Sequence, residues 1–378
     1  MTGLNGHRVY LDWNATAPLR LEARRAMLEM IDAHGNPSSV HAEGRAARVI
    51  VESARSRVAA LAGCEPADLV FTSGATEAAA TVLAQARFDN ILFGETEHDC
   101  IARARRGVAV AVTRDGLLGP GFFRQLSDCQ PEERLLVAMA AANGETGVIN
   151  DRIGEIASSV RRTGGELLCD MVQAFGKVPV AAMEGVPDYR LISGHKIGAP
   201  KGVGAIVLRP GTPIIPLLSG GGQELGRRSG TENVIGIAGF GAAAEAARRD
   251  LESGAWERAG NLRDRLEERL ESAAPDLVVF GRGAPRLPNT SCFAVPGWKG
   301  ETQVMQMDLA GFAVSAGSAC SSGKVAKASR VLMAMGFDEV TAASAIRVSM
   351  GPTTSEAEVM AFADTWIDHY RKRIARAA

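Results

Sequence analysis

Short apolar runs of strand length alternate with helical stretches through residues 68–251, and that alternation leaves few folds open to the chain. The runs fall at 68–72, 90–93, 108–112, 135–141, 166–170 and 189–192, with 202–208 returning after a glycine-rich loop. Helical stretches precede or separate them at 21–33, in an alanine-rich stretch opened by 73–77, at 153–162 and, after the last strand, at 235–251. A long helix from Ser38 or Ser39, as N-cap, to Leu61 is expected to bury Ala46, Val49, Ile50, Ala54, Val58 and Leu61. Strands joined through helices give a parallel sheet with right-handed crossovers, so the expected class is α/β, a mostly parallel central sheet with flanking helices. From about Trp256 the pattern changes to an amphipathic helix (Leu262, Leu266, Leu270) and strands at 289–295, 312–315 and 345–350. A helix near 301–310 and a final helix opened by the capping box Ser355-x-x-Glu358 complete this α+β part. A chain of 378 residues is expected to divide. The division is placed at a large domain of 16–252 and a small one of 1–15 and 253–378.

The strand ends carry the chemistry. Ser193-Gly194-His195-Lys196 passes into a Gly/Pro-rich turn, Ile197 to Gly204, which an ordinary surface lysine does not need. A lysine that forms an imine in a walled pocket, beside donors for an anion, does need it. Ser73-Gly74-Ala75-Thr76-Glu77 opens a helix after a strand and presents free N–H groups to an anion. Its spacing is neither a Walker P-loop nor the dinucleotide G-x-G-x-x-G, and taken alone it also fits an ordinary strand-to-helix turn. His98 either caps the helix that follows it or faces a ligand beyond the sheet edge. Asp170 is the carboxylate at a strand tip, with Gln173 beyond it. Thr76, His98, Asp170 with Gln173, and Lys196 together form the inventory that pyridoxal 5'-phosphate requires.

With these motifs in view, the chain resembles the cysteine desulfurases, pyridoxal-phosphate enzymes of fold type I in the class V aminotransferase group. The resemblance runs nearly end to end. Its carriers are 10–16 (Tyr-Leu-Asp-Trp-Asn-Ala-Thr), 35–39 (Gly-Asn-Pro-Ser-Ser), 72–77 (Thr-Ser-Gly-Ala-Thr-Glu) and Glu97-His98. Asp170-x-x-Gln173, the Lys196 motif, Arg228-Ser229-Gly230-Thr231, Gly317-Ser318-Ala319-Cys320 and Ile346-Arg347-Val348-Ser349 complete them. The resemblance implies that Lys196 is the Schiff-base lysine and later moves the substrate α-proton. It implies that Asp170 pairs with the pyridinium nitrogen, that Gln173 bonds the ring hydroxyl, and that His98 stacks on the ring and transfers protons. Ala75, Thr76, Ser193 and His195 are expected on the phosphate, with Thr231 reaching the cofactor of the other subunit of a homodimer. Arg347, helped by Asn36, is expected to clamp the substrate carboxylate. Cys320 is the expected acceptor of sulfur from L-cysteine, leaving L-alanine and a persulfide; Lys324 and Lys327 would favour its thiolate.

The sequence departs from that family at two places. Asn143-Gly144-Glu145 stands where the family carries Asn-Asn-Glu, so the asparagine expected on the ring hydroxyl and the substrate carboxylate is missing at Gly144. Asn143 or a water is expected to compensate. Ala78-Ala79-Ala80 replaces one or two asparagines. Beside the desulfurase, a selenocysteine lyase, another class V pyridoxal-phosphate enzyme and a low-activity or regulatory descendant therefore stay open.

Composition sets the outer limits. A net charge of −1 gives no footprint for nucleic acid, and no apolar run approaches bilayer length. The N-terminal residues lack the apolar core of a secretory signal, so a cytoplasmic location is expected. Six scattered cysteines without a C-x-x-C pair suggest neither a disulfide framework nor a zinc site, and Cys292 is expected to be structural. The sulfur-acceptor protein, an Fe–S scaffold or a transfer protein, is the expected macromolecular partner.

Overall fold

The computed structural model describes residues 8–104, 107–128, 134–179, 186–317 and 328–377. Strand β1 (Val9–Tyr10) and helices α1 (Leu21–Ile31) and α2 (Ala42–Ala62) lead to β2 (Leu69–Thr72), α3 (Ala75–Leu83), β3 (Asn90–Gly94) and the single turn α4 (Asp99–Ala102). Then follow β4 (Gly107–Val110), α5 (Pro120–Asp128), β5 (Leu135–Ala140), α6 (Ile153–Arg162), β6 (Glu166–Asp170), β7 (Tyr189–Ser193) and β8 (Gly204–Leu208). Helices α7 (Val234–Glu252) and α8 (Ala255–Ala273) pass to β9 (Val278–Val279), β10 (Thr290–Ala294), α9 (Gly300–Leu309), β11 (Phe312–Ala313) and β12 (Ser315–Ala316). Short helices α10 (Arg330–Ala334) and α11 (Glu339–Ala343), β13 (Ala345–Ser349) and α12 (Glu356–Ala377) end the chain.

Seven strands form the central sheet in the order β2-β8-β7-β6-β5-β3-β4. The expected parallel pairing holds from β7 to β4, whereas β8 runs antiparallel to both β7 and β2. The cause is the connection. Residues 194–203 hold no crossover helix, and without one the chain folds straight back. Two reversals cancel, so β2 again points the same way as β7. Thr72, Gly94, Ala140, Asp170 and Ser193 therefore finish at one edge of the sheet. Gly204 lies across from Thr72, and a Cβ on it would come within 2.8 Å of Gly74 Cα, so glycine lets the lysine loop close against the β2–α3 turn.

Both faces of the sheet are covered, which is why β2 and β7 are buried throughout; Arg190 in β7 meets this by donating to Ala62 O at 2.6 Å. Helices α1, α2 and α5–α7 pack on one face and α3 and α4 on the other. The expectation for α2 is corrected in two respects. His41, rather than Ser38 or Ser39, is the N-cap, its ring accepting from Gly44 N–H. The buried face runs Gly44, Ala47, Val51, Ala54, Val58, so that Ala46 and Val49 point outward and Ile50 is half-buried. Small residues hold that face because α7 lies against it: a Cβ on Gly241 would sit 2.6 Å from Ala54 Cα.

A second core gathers Val9, Leu11, Leu266, Phe293, Phe312, Ile346, Phe362 and Trp366. There β13 pairs with β10 and β12, while β1 pairs in parallel with β11. The strand expected at 312–315 is thus two strands with different partners, and the helices α10 and α11 were not foreseen. The capping box of α12 forms, Ser355 N–H donating to Glu358 Oε2 at 2.7 Å and Glu358 N–H to Ser355 Oγ at 3.3 Å.

Candidate active site at the sheet edge

Beyond Ser193 the chain makes one 3-10 turn, Gly194–Lys196, and then needs a left-handed residue at Gly198 (φ +82°). A side chain there would also strike Pro18 O at 2.8 Å. The loop is thereby fixed against residues 14–20, with Ala17 N–H donating to His195 O and Arg20 N–H to Gly198 O, both at 2.9 Å. Lys196 Nζ ends on two main-chain carbonyls of that segment, Asn14 O (2.6 Å) and Ala15 O (2.9 Å).

Asp170 ends β6 one strand away. Its Oδ1 accepts from Val172 N–H at 2.9 Å; burial raises the carboxyl pKa, and nearby His98 and Lys196 pull it back. A protonated nitrogen placed before it would supply the cation that this burial calls for. His98 caps α4, its Nδ1 accepting from Cys100 N–H at 3.2 Å, with its ring exposed above the sheet edge. Of the two readings open to it, the cap is formed. Gln173 donates from Nε2 to Asn14 O at 3.0 Å, so Gln173 and Lys196 share one acceptor.

The expected phosphate donors lie at the neighbouring strand ends. Thr76 is exposed and Ala75 half-buried in the first turn of α3, whose free N–H groups face outward. Ser193 is buried. His195 has its Nδ1 3.2 Å from Thr16 Oγ1, and burial together with Lys196 and Lys201 pushes its pKa down to about 4, so the ring is neutral at pH 7. Thr231 is exposed and lines a cavity of 260 Å³ with Ser73, Gly202 and Arg228. Arg228 in turn donates to Glu77 at 3.0 Å, tying the 219–233 loop to the first turn of α3.

Across the edge, Arg347 on β13 is buried and reaches Asp12 Oδ1 with Nη2 (2.6 Å) and Gly144 O with Nη1 (2.9 Å). Its buried Nε has no hydrogen-bond partner among the described residues. Asn36 is exposed at the turn before α2, where its Oδ1 accepts from Ser38 N–H at 2.9 Å; no described hydrogen bond joins it to Arg347. Cys320, Lys324 and Lys327 lie outside the described residues. Among the described cysteines, burial raises Cys64 to about 11 and Cys100 to about 12, and raises Cys169 and Cys292 as well.

Asn143 does not compensate for Gly144. Its Oδ1 accepts from Glu145 N–H (2.9 Å) and Thr146 N–H (3.0 Å), and one N–H of its Nδ2 donates to Thr96 O (3.1 Å), so its oxygen is committed to its own loop and its NH2 is turned toward Thr96. Three residues escaped the sequence reading altogether. Asp12 and Asn14 stood inside a motif without a role. Lys177 gave no signal beyond standing four residues after Gln173, yet it is a buried lysine on the wall of the site.

The side chains present fit a phosphorylated pyridine aldehyde. They supply a lysine at the edge, a buried carboxylate one strand over, a neutral histidine and a helix N-terminus.

Comparison with known proteins agrees with that chemistry. The profile of the family described as Aminotransferase class-V matches residues 9–362. A cysteine desulfurase of Klebsiella pneumoniae is 39% identical over 364 residues, which cover 93% of this chain and 90% of that one. One of Cereibacter sphaeroides is 40% identical over 368 residues, 93% of each chain. The X-ray structure of a NifS-like protein from Rickettsia africae ESF-5 superposes with a TM-score of 0.87 at 31% identity, covering 97% of this chain and 100% of that one.

Proposed function

The chain belongs to the class-V aminotransferase family, and from that premise we propose that it is a pyridoxal-phosphate-dependent cysteine desulfurase, converting L-cysteine to L-alanine and passing the sulfur to Cys320 as a persulfide. The observation that carries the reading is the meeting of Lys196, Asp170, His98 and Gln173 at one sheet edge, with Arg347 opposite. When bound, the cofactor supplies an electron sink that loosens the bonds at the substrate α-carbon.

The protein's own residues do the rest. Lys196 Nζ is the attachment point and then moves the α-proton. Asp170 holds a proton on the ring nitrogen, Gln173 donates to the ring hydroxyl, and His98 covers the ring and exchanges protons with the substrate. Ser193, neutral His195 and the α3 turn at Ala75 and Thr76 hold the phosphate, with Thr231 contributed to the other subunit. Arg347 takes the substrate carboxylate, exchanging its contact with Asp12 for a bidentate one; Asn36 is the proposed second donor. The Cys320 thiolate attacks the substrate sulfur, the C–S electron pair stays with carbon, and carbon takes up a proton. Burial raises the thiol pKa of all four described cysteines, which disfavours the thiolate at each of them; Cys320 is assigned the role because it stands in the Gly317-Ser318-Ala319-Cys320 motif.

Two separate apolar cores, and the pairing of β1 with β11, support a division into 16–252 and 1–15 with 253–378. Exposed large apolar residues at Leu21, Val40, Val49 and Leu225 support a homodimer. No described helix is long and apolar enough to cross a membrane, in keeping with a cytoplasmic role; sulfur delivery to an Fe–S scaffold or thiolation partner completes the proposal.

Incubation of the purified protein with L-cysteine, following alanine, sulfide and persulfide, tests the reading. Cys320→Ala is expected to keep the cofactor and lose persulfide. Persulfide at the wild-type rate in that variant overturns the assignment. Alanine without protein-bound sulfur in the wild type would instead indicate another class-V chemistry, the drift that Gly144 favours.

A further inference from the structure

We propose that Lys177 is a positioning residue for the cofactor site: by binding Gln173 Oε1 it turns Gln173 Nε2 toward the cofactor, and by binding Asn14 Oδ1 it helps fix the segment that carries the Asn14 carbonyl. The inference rests on the functional reading above. Lys177 is 2% exposed, and its Nζ lies 2.9 Å from Gln173 Oε1 and 2.8 Å from Asn14 Oδ1. Nζ donates to both oxygens, and either amide turned the other way would set an NH2 against it. A buried cation facing amide oxygens in place of a carboxylate is a costly arrangement, and its geometric effect is specific.

For Gln173 the effect is to send Nε2 the other way. One of its N–H bonds goes to Asn14 O at 3.0 Å, leaving the second for the site. The ring hydroxyl of pyridoxal phosphate, ionised when bound, accepts a donor and repels an amide oxygen. Nε2 also faces the wall at Gly144, since a Cβ there would stand 3.2 Å from it. For Asn14 the effect is to complete a fully used amide. Its Oδ1 accepts from Lys177 and from Asn289 Nδ2 (3.1 Å), and its Nδ2 donates to Thr290 Oγ1 (2.9 Å) and Gly144 O (3.3 Å). Held at every polar atom, Asn14 offers a fixed main-chain carbonyl to Lys196 and to Gln173 together. Without Lys177 the Gln173 amide is held in this orientation only by its bond to Asn14 O, and a flipped amide presents an oxygen to the ring hydroxyl.

A double-mutant cycle read as the Kd of the apoprotein for pyridoxal phosphate, by fluorescence titration, tests this. Lys177→Met is expected to weaken binding about tenfold in the wild type and less than twofold in a Gln173→Ala background. Lys177→Gln, whose amide donates to the same two oxygens, is expected to stay within about twofold of wild type. Should Lys177→Met fail to fold, Lys177→Ala, whose vacated space admits water, serves the same cycle. Equal losses in both backgrounds, an unchanged Kd in Lys177→Met, or no rescue by Lys177→Gln overturns the proposal. If Gln173→Ala alone binds as wild type does, the proposal fails while the Cys320 experiment stands. If the unmutated protein binds no pyridoxal phosphate, both readings fall.

Discussion

Gly144 is where a single missing side chain bears most directly on turnover. Its main chain is heavily used, since its carbonyl accepts from both Arg347 Nη1 (2.9 Å) and Asn14 Nδ2 (3.3 Å). What is lost is a donor projecting beside Gln173, and Asn143 is turned away from that space. The backbone at 144 is not left-handed, and a new Cβ would meet Gln173 Nε2 at 3.2 Å and its Cγ at 3.4 Å. A shift of a few tenths of an ångström in Gln173 admits the side chain. Gly144→Asn is therefore expected to raise kcat/KM for L-cysteine about tenfold, the scale of one hydrogen bond to a charged group. A steady-state alanine assay decides it, and a fall in kcat/KM with an unchanged melting point would mean that Gln173 cannot yield. The same residue shows the limit of motif reading. The missing asparagine was legible, but the use of its carbonyl by Arg347 was not, because main-chain acceptors carry no residue signature.

Among the elements, the 219–233 loop depends most on one contact. Glu224 and Leu225 are non-glycine residues with φ of 50° and 58°, a left-handed pair that has to be held in place. The hold is Glu224, whose buried carboxylate takes Arg55 Nη1 and Nη2 (2.8 and 2.6 Å) and Phe71 N–H (2.8 Å). Arg55 also donates to Leu69 O, so α2, β2 and the loop meet at one ion pair. Removing one partner strands a buried charge: Glu224→Ala is expected to cost about 3–5 kcal/mol in urea unfolding. The Arg55→Met, Glu224→Met double variant should recover much of that loss, and a double variant no better than the single would place the cost in the loop backbone instead. The motif Arg228-Ser229-Gly230-Thr231 was legible in the sequence, but nothing there marked Arg55 inside α2 as the partner of Glu224. The strands were legible for the opposite reason, since burial on both faces writes itself as continuous apolar runs. The stripe of α2 was misread because close packing on α7 selects glycine and alanine, which apolar periodicity undervalues, and leaves Val49 outward.

At the scale of the whole molecule, stability should depend on pH through carboxyls buried between the sheet edge and the second core. Burial raises Glu97 to about 8 and Glu145 to about 7, and each has a buried oxygen without a hydrogen-bond partner among the described residues, Glu97 Oε2 and Glu145 Oε1. A carboxyl whose pKa is higher folded than unfolded holds its proton longer in the native state. Its contribution is therefore fully present below about pH 4.5 and is lost as pH rises toward 7 and 8. Asp170, also raised, acts in the same direction. His195 opposes them, because its pKa of about 4 lies below the unfolded value of 6.5 and its contribution is lost as pH falls through that interval. Lys177, lowered by burial, likewise favours the native state more as pH rises. The raw profile is a sum of opposed slopes, so the glutamate contribution has to be isolated by difference. Glu97→Gln removes the titration and keeps an acceptor for Ala140 N–H, which now binds Glu97 Oε1 at 2.9 Å. Its urea midpoint, measured on the apoprotein, should gain on wild type steadily from pH 5 to pH 8.5. A difference that stays flat across that range would mean that Glu97 is ionised in the native state throughout, its charge met by nearby Arg330.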